Sequence, residues 1–270
     1  MQGLPRSYLF VPGHRPERFD KALASGADAV VLDLEDAVPH AGKSAAREAI
    51  ASWLRARPAA SPGGVVVVRT NAADTPYFDG DLAAARVGAQ VLMLPKSERA
   101  ADLARLAEAL PGLALLPLVE TAVGIEAAAE IARAPGVQRL VFGSIDFQHD
   151  LGIDGEGEEL LLFRSQLVLQ SRLAGLGAPV DGVSTALDDP ARVQAETVRA
   201  RRLGFGAKLC IHPRQVAPIH QGFAPTPAQL EWARRVLDAA KRSGGAAVAM
   251  DGAMVDRPVI LRAQAILARG

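Results

Sequence analysis

The apolar positions of this chain fall into short unbroken runs, separated by longer stretches in which Ala, Leu and Arg recur at helical spacing. The runs are SYLFVP (7–12), AVVLDLE (29–35), GVVVVRT (64–70), QVLMLPK (90–96), LALLPLVE (113–120), RLVFGSID (139–146), PVDGVS (179–184) and AKLCIHP (207–213). Continuous apolar runs of this length suit parallel strands covered on both faces. Between them the spacing predicts helices over 16–25, 44–57, 82–87, 99–110, 125–133, 158–174 and 190–203. Such alternation with short loops predicts an α/β fold, a closed (β/α)₈ TIM barrel, with an open doubly wound sheet as the alternative. No GxGxxG fingerprint follows a strand, which counts against the open sheet. Beyond the eighth strand the pattern predicts a helix over 227–242, a hairpin-like stretch around Asp251-Gly252 and a last helix over 260–268. The expected organisation is a barrel over 1–224 and a C-terminal helical extension or lid over 225–270, part of the same structural unit.

Composition narrows the function classes. The 270 residues are close to the roughly 250 of one barrel domain. Apolar residues make up 49% and charged residues 22%, enough for a large core. A formal net charge of zero gives no electrostatic footprint for nucleic acid or an anionic membrane. The single cysteine, Cys210, reads as a core residue and allows no disulfide within one chain, as in a reducing compartment. The opening MQGLPRSYLFVPG has too short an apolar run for a signal peptide. No stretch reaches the ~20 apolar residues of a membrane span. The expectation is a soluble, cytoplasmic protein without nucleic-acid or membrane partners.

The strands are apolar until their last residues, and there polar groups recur: Glu35 and Asp36, Arg69, Lys96, Glu120, Asp146, Asp181 and His212. In a parallel barrel all C-terminal strand ends share one face, so these charges are expected to converge on one mouth, where active sites of this fold sit. Glu120 and Asp146 close neighbouring strands. Two carboxylates held close repel, and a hard divalent cation such as Mg²⁺ relieves them. Alternatively, each caps the following helix or pairs with an arginine. Arg69 ends a buried strand and needs an anion. That anion is either a substrate carboxylate or enolate oxygen, or an internal partner, Glu35 or Asp36. Asp33 lies inside its strand and stays unassigned. Lys96 reads as a structural ion pair rather than a Schiff-base lysine. His212, before Pro213, either contacts ligand or bonds to the barrel top. His14 and His40 have no metal-ligand spacing, and no Ser/His/Asp set is visible.

The ordered set RSYLFVPGHRPERFDKALASGADAVVLDLEDAV, VRTNAADTPYFDGDL, VLMLPKSE, PLVETAVGIEAAAEIA, LVFGSIDFQHDLG, PVDGVSTALDDP, LGFGAKLCIHPRQV and FAPTPAQLEWARRVL spans nearly the whole chain. It resembles citrate lyase β-subunit-like proteins of the HpcH/HpaI aldolase family. The resemblance implies a (β/α)₈ barrel, usually a homotrimer, acting on CoA or acyl-carrier thioesters of β-hydroxy acids. It implies Glu120 and Asp146 as Mg²⁺ ligands, with Mn²⁺ an alternative metal, and Arg69 on the keto-acid and enolate oxygens. Phe10, Arg15, Arg18 and Lys21 match the CoA-holding segment, and Ile211 and His212 a stretch lining the thioester. Glu35 and Asp36 hold metal-bound waters or orient Arg69. Asp256, in GAMVDRPV, matches the aspartate that a neighbouring subunit delivers in malyl-CoA and citramalyl-CoA lyases, giving the tail a purpose as a lid. The implied reaction cleaves, or forms, a thioester such as citramalyl-CoA or malyl-CoA, with acetyl-CoA and a 2-keto acid as products. The alternatives are a β subunit of a citrate lyase complex acting on citryl-acyl-carrier protein, a CoA-independent keto-acid aldolase, and a non-catalytic relative.

Overall fold

The computed structural model of the protein describes residues 4–57, 64–242, 247–251 and 253–269. Two compact units are present, Met1–Gly222 and Phe223–Gly270. The first is the predicted barrel. Its strands are β1 (Ser7–Pro12), β2 (Ala29–Asp33), β3 (Val65–Arg69), β4 (Val91–Leu94), β5 (Ala114–Val119), β6 (Val141–Phe142), β7 (Val180–Asp181) and β8 (Ala207–Cys210). Each pairs in parallel with the next, and β8 closes on β1. The helical layer consists of α1 (Phe19–Leu23), α2 (Lys43–Ala56), α3 (Phe78–Ala85), α4 (Ala100–Ala109), α5 (Ala122–Glu126), α6 (Ala128–Ile131), α7 (Ser144–Leu151), α8 (Leu161–Leu173), α9 (Pro190–Leu203) and α10 (Val216–Phe223).

Side chains alternate across a strand, so every second residue faces the barrel interior. The packed interior consists of Tyr8, Ala29, Val31, Val67, Val91, Met93, Leu116, Leu118, Val141, Val180, Ala207 and Leu209. The same parity continued one step towards the strand ends gives Phe10, Asp33, Arg69, Glu120 and Ile211. The apolar interior therefore changes into a polar mouth without any break in register. Asp33 and Arg69 are direct partners in the β2–β3 ladder.

Two expectations need correction. The sixth and seventh strands are only two residues long, against predicted runs of 139–146 and 179–184. After Gly143 the chain turns into α7, so Asp146 stands in the first turn of that helix rather than on the strand. Asp181 does not reach the mouth either. Val180 faces the interior, so its neighbour Asp181 faces the helical layer, where it is fully buried. There Arg164 Nε donates to its Oδ1 at 2.9 Å and Lys208 Nζ lies 3.5 Å from its Oδ2. Lys208 also donates to the Gly182 carbonyl at 2.7 Å, and Arg164 to that of Glu156 at 2.8 Å. Burial alone raises the Asp181 pKa, but Lys208 and Arg164 outweigh it and hold the carboxyl below its ordinary range. Cys210 is buried as expected, and burial pushes its thiol up to about 12, which suits a core residue and not a nucleophile.

The second unit contains α11 (Pro227–Arg242), an antiparallel hairpin of β9 (Val248–Met250) and β10 (Ala253–Val255), and α12 (Arg257–Leu267). Gly252 of the predicted turn lies outside the described residues. Ala233, Val236, Val255 and Ala263 form the core of this unit, with Trp232, Ile260 and Ile266 packed against it. Arg235 holds both carboxylate oxygens of Asp251 at 2.6 Å. The last helix begins three residues earlier than predicted. Asp256 is its N-cap and accepts from Val259 N at 3.3 Å, and Pro258 fits the first turn. Among the described residues no helix is long and apolar enough to cross a membrane.

The Asp181 cluster yields a stability prediction. Asp181→Ala leaves two buried cations without their anion, so unfolding in urea should show a loss of about 3–5 kcal/mol. A loss below about 1 kcal/mol, within the ordinary range for surface changes, would mean the carbonyls alone satisfy Arg164 and Lys208.

Candidate active site

The strand ends of the barrel surround a cavity of about 400 Å³, lined by Phe10, Asp33, Asp36, Arg69, Glu120, Asp146 and Ile211 among others. Its floor and walls are apolar, from Leu118, Phe142, Val183 and Leu209. The charged groups therefore act in a medium that screens them poorly.

Arg69 is the organising cation. Asp33 takes Nε at 2.7 Å and Nη2 at 2.8 Å, a two-pronged pair across neighbouring strands. Asp33 is itself fixed by the backbone N–H groups of Glu35 at 2.9 Å and Ala37 at 3.1 Å. The third guanidinium corner, Nη1, lies 2.8 Å from Glu35 Oε2, an ion pair without hydrogen-bond alignment, and 3.5 Å from Asp36. The Phe10 ring covers the guanidinium 4.7 Å from its centroid, so this residue packs on Arg69 in the mouth. Burial disfavours the Arg69 charge, but Asp33, Glu35 and Asp36 more than compensate, and the pKa rises above its ordinary value. Burial likewise pushes the Asp33 carboxyl up, and Arg69 more than reverses it. The internal reading of Arg69 thus holds in this structure. Its chief partner is Asp33, which the sequence pattern left unassigned; the strand parity from Val31 was the signal that would have found it.

The Glu35–Asp36 loop is held from below. Lys43, buried on α2, donates to the Leu34 carbonyl at 2.7 Å and that of Glu35 at 2.6 Å. Lys96 Nζ lies 3.3 Å from Glu35 Oε1, the predicted structural ion pair. Glu35 is nonetheless pushed up to about 7, chiefly by burial, with Asp36 and Asp33 adding to it against Arg69 and Lys96.

Glu120 follows β5 and is buried. Its Oε1 accepts the Lys96 backbone N–H at 2.7 Å, and among the described residues nothing donates to Oε2. It does not cap α5: Thr121 Oγ1 performs that task, accepting Gly124 N at 3.0 Å. Burial, then the nearby Glu35 and Asp146, raise the Glu120 pKa well above its ordinary value. Gly143, one turn before Asp146, is there for space: a Cβ at that position would fall 2.4 Å from Glu120 Oε2. The mouth thus gathers Asp33, Glu35, Asp36, Glu120 and Asp146 against Arg69, Lys96 and Lys43, leaving two acids more than bases. Among the described residues no group of three His, Cys, Asp or Glu forms a closed metal cage. Two carboxylates opening on a cavity match instead the usual manner of Mg²⁺ binding, with waters and substrate oxygens filling the remaining positions.

The remaining expected residues divide. Ile211 lines the cavity and is exposed. His212 caps the turn after β8, its Nδ1 accepting Arg214 N at 3.2 Å, while Gln215 Oε1 accepts the Ile211 and His212 amides at 2.9 and 3.3 Å. It does not line the cavity. Arg15 and Arg18 stand on the β1–α1 connection and Lys21 on α1, all outside the cavity lining, and Arg15 pairs with Glu17 at 2.6 Å. Asp256 caps α12 in the second unit.

Comparison with known proteins matches this picture. The family model "HpcH/HpaI aldolase/citrate lyase" matches residues 6–213. A citrate lyase subunit beta-like protein of Deinococcus radiodurans is 41% identical over 275 residues, covering 98% of this chain and 96% of that one. A (3S)-malyl-CoA thioesterase of Cereibacter sphaeroides is 36% identical, covering 98% of this chain and 94% of the other. The crystal structure of the protein CitE from Mycobacterium tuberculosis, in complex with magnesium, acetoacetate and coenzyme A, superposes with a TM-score of 0.88 at 36% identity, over 100% of this chain and 99% of that one. With the closed barrel, its acidic mouth and these matches together, the chain belongs to the HpcH/HpaI aldolase/citrate lyase family.

Proposed function

We propose that this protein is a Mg²⁺-dependent carbon–carbon lyase acting on a β-hydroxyacyl-CoA thioester of the citramalyl-CoA or malyl-CoA type. The observation that carries the proposal is the surplus of carboxylate at the mouth, above all buried Glu120 with one oxygen undonated beside Asp146. The magnesium and coenzyme A in the similar CitE complex support the choice of metal and thioester. Mg²⁺ would be held by Glu120 and Asp146 and supply Lewis acidity to the substrate's hydroxyl and carboxylate oxygens.

The chain's own residues do the rest. Asp33 and Phe10 fix the Arg69 guanidinium before substrate arrives, so charge developing on a substrate oxygen meets a preorganised cation. A substrate oxygen reaches it at Nη1, the corner it shares with Glu35 and the exposed Asp36. As the Cα–Cβ bond breaks, the hydroxyl-bearing carbon becomes the carbonyl of a 2-keto acid and its hydroxyl proton passes to solvent water. The bonding electron pair stays on the acetyl carbon, which takes a proton from the carboxylic acid form of Asp256 to give acetyl-CoA, and the proton released to solvent restores that acid. Asp256 would be delivered by a neighbouring copy in a homotrimer, an assignment supported by the GAMVDRPV motif. Exposed Arg18 and Lys21, with half-buried Arg15, offer cations to the phosphates of CoA.

The test is turnover of citramalyl-CoA and malyl-CoA by the purified chain, with products separated by chromatography. Acetyl-CoA and a 2-keto acid should form in equal amounts and stop with EDTA. Release of free CoA as the first product would mark a thioesterase, the activity in the name of the Cereibacter relative. No turnover by folded, Mg²⁺-binding protein would point to a missing acyl-carrier partner. Arg69→Ala should lower kcat by about 10²–10³-fold, and Asp256→Ala by about 10²–10⁴-fold with Mg²⁺ affinity retained.

Metal binding should also depend on pH. Burial raises both Glu120 and Glu35, Glu35 to about 7, and Mg²⁺ favours the deprotonated carboxylates. Affinity should therefore tighten as pH rises from about 6 to 8, with proton release visible by calorimetry in buffers of different ionisation enthalpy. A pH-independent affinity would mean that metal binding displaces no proton from the mouth in this range.

A further inference from the structure

Among the described residues two non-glycine residues have positive φ, Lys96 at 46° and Asp251 at 53°. Asp251 lies at the turn of the β9–β10 hairpin. Lys96 lies at the barrel mouth, in a conformation that glycine or asparagine ordinarily takes. A residue held in such a conformation by its surroundings points to a constraint at a functional site.

The surroundings are specific. The β4–β5 ladder is in register as far as Leu94 and Pro117, and Ser97 N donates to Leu118 O at 3.0 Å. Pro95 has no N–H to give. The left-handed turn at Lys96 takes its N–H out of the ladder and points it at Glu120 Oε1, 2.7 Å away. Ser97 locks the turn, its Oγ donating to Leu94 O at 2.8 Å. The Ser97 carbonyl abuts α5 so closely that a Cβ on Gly124 would lie 2.8 Å from it. On its other side Glu120 is bounded by Gly143. The carboxylate is thus wedged with one oxygen on an amide and the other turned away from it. The Lys96 side chain meanwhile goes elsewhere, to Glu35.

We propose that Lys96 is a positioning residue for the metal site, and that it acts through its left-handed backbone, which presents the amide to Glu120, rather than through its ammonium group. The inference rests on the reading of Glu120 as a Mg²⁺ ligand. It separates two functions that one residue carries: aiming Glu120 by the main chain and pairing Glu35 by the side chain.

Calorimetric titration of the full chain with Mg²⁺ alone tests it, using Lys96→Gly, Lys96→Asn and Lys96→Val. All three delete the ammonium. Glycine and asparagine accept the left-handed conformation, and a β-branched residue does not. Lys96→Gly and Lys96→Asn should stay within about threefold of the wild-type affinity, while Lys96→Val weakens it about 10- to 100-fold, as loss of a ligand's supporting bond does. Circular dichroism should remain that of the wild type. If Lys96→Val does not fold, Lys96→Ala takes its place and should bind more weakly than Lys96→Gly. Equal weakening in all variants would assign the effect to the charge and overturn the proposal, as would no weakening in any. Glu120→Gln serves as the control. If it leaves Mg²⁺ affinity unchanged, the metal reading itself fails; if it abolishes binding while the Lys96 variants behave alike, only the positioning role fails.

Discussion

Arg69 ends a strand of four valines inside a closed barrel, and its charge is tolerable there only if anions meet it. That requirement shapes the mouth. Asp33, its partner across the β2–β3 ladder, occupies two edges of the guanidinium; Glu35 and Asp36 crowd the third; Phe10 covers a face. The loop that brings Glu35 and Asp36 there is itself tied down by buried Lys43. Remove the arginine and four side chains lose the reason for their arrangement.

Two of the buried ionic clusters among the described residues, at Asp181 and at Arg69, differ as structure differs from chemistry. On the outward parity, Asp181 sits between Arg164 and Lys208, which also donate to the Glu156 and Gly182 carbonyls; it does not line the cavity. On the inward parity, the acids outnumber the bases, and the surplus faces a cavity. The first cluster, one acid shared by two cations that also reach backbone carbonyls, is closed and ties helix α8 to the barrel wall. The second, with acids in excess and open to a cavity, is the one suited to taking up protons or a cation.

Much of this was legible in the sequence. Eight apolar runs alternating with helical spacing gave the barrel because parallel strands buried on both faces leave that trace. The convergence of Glu35, Arg69, Lys96 and Glu120 followed from the fold's single catalytic face. What escaped depended on side-chain direction. Asp33 and Asp181 both read as acids within strands, but parity sends the first into the mouth and the second into the helical layer. Asp146 read as a strand end because the apolar run 140–142 is followed, after Gly143 and Ser144, by a further apolar residue, Ile145; the break at Gly143 became visible only where the sheet stops after Phe142. The left-handed backbone at Lys96 leaves no compositional mark, since lysine is not a residue that announces such a turn.

The central claim is that the surplus negative charge of the barrel mouth is a divalent-metal site built on Glu120 and Asp146. Crystals grown with Mn²⁺ in place of Mg²⁺ would locate the metal directly by anomalous scattering. The account predicts one strong peak in the mouth, about 2.1 Å from a carboxylate oxygen of each residue, with Lys96 N still on Glu120 Oε1. A peak centred on Glu35 and Asp36 instead, or no peak in the mouth at saturating Mn²⁺, would contradict it.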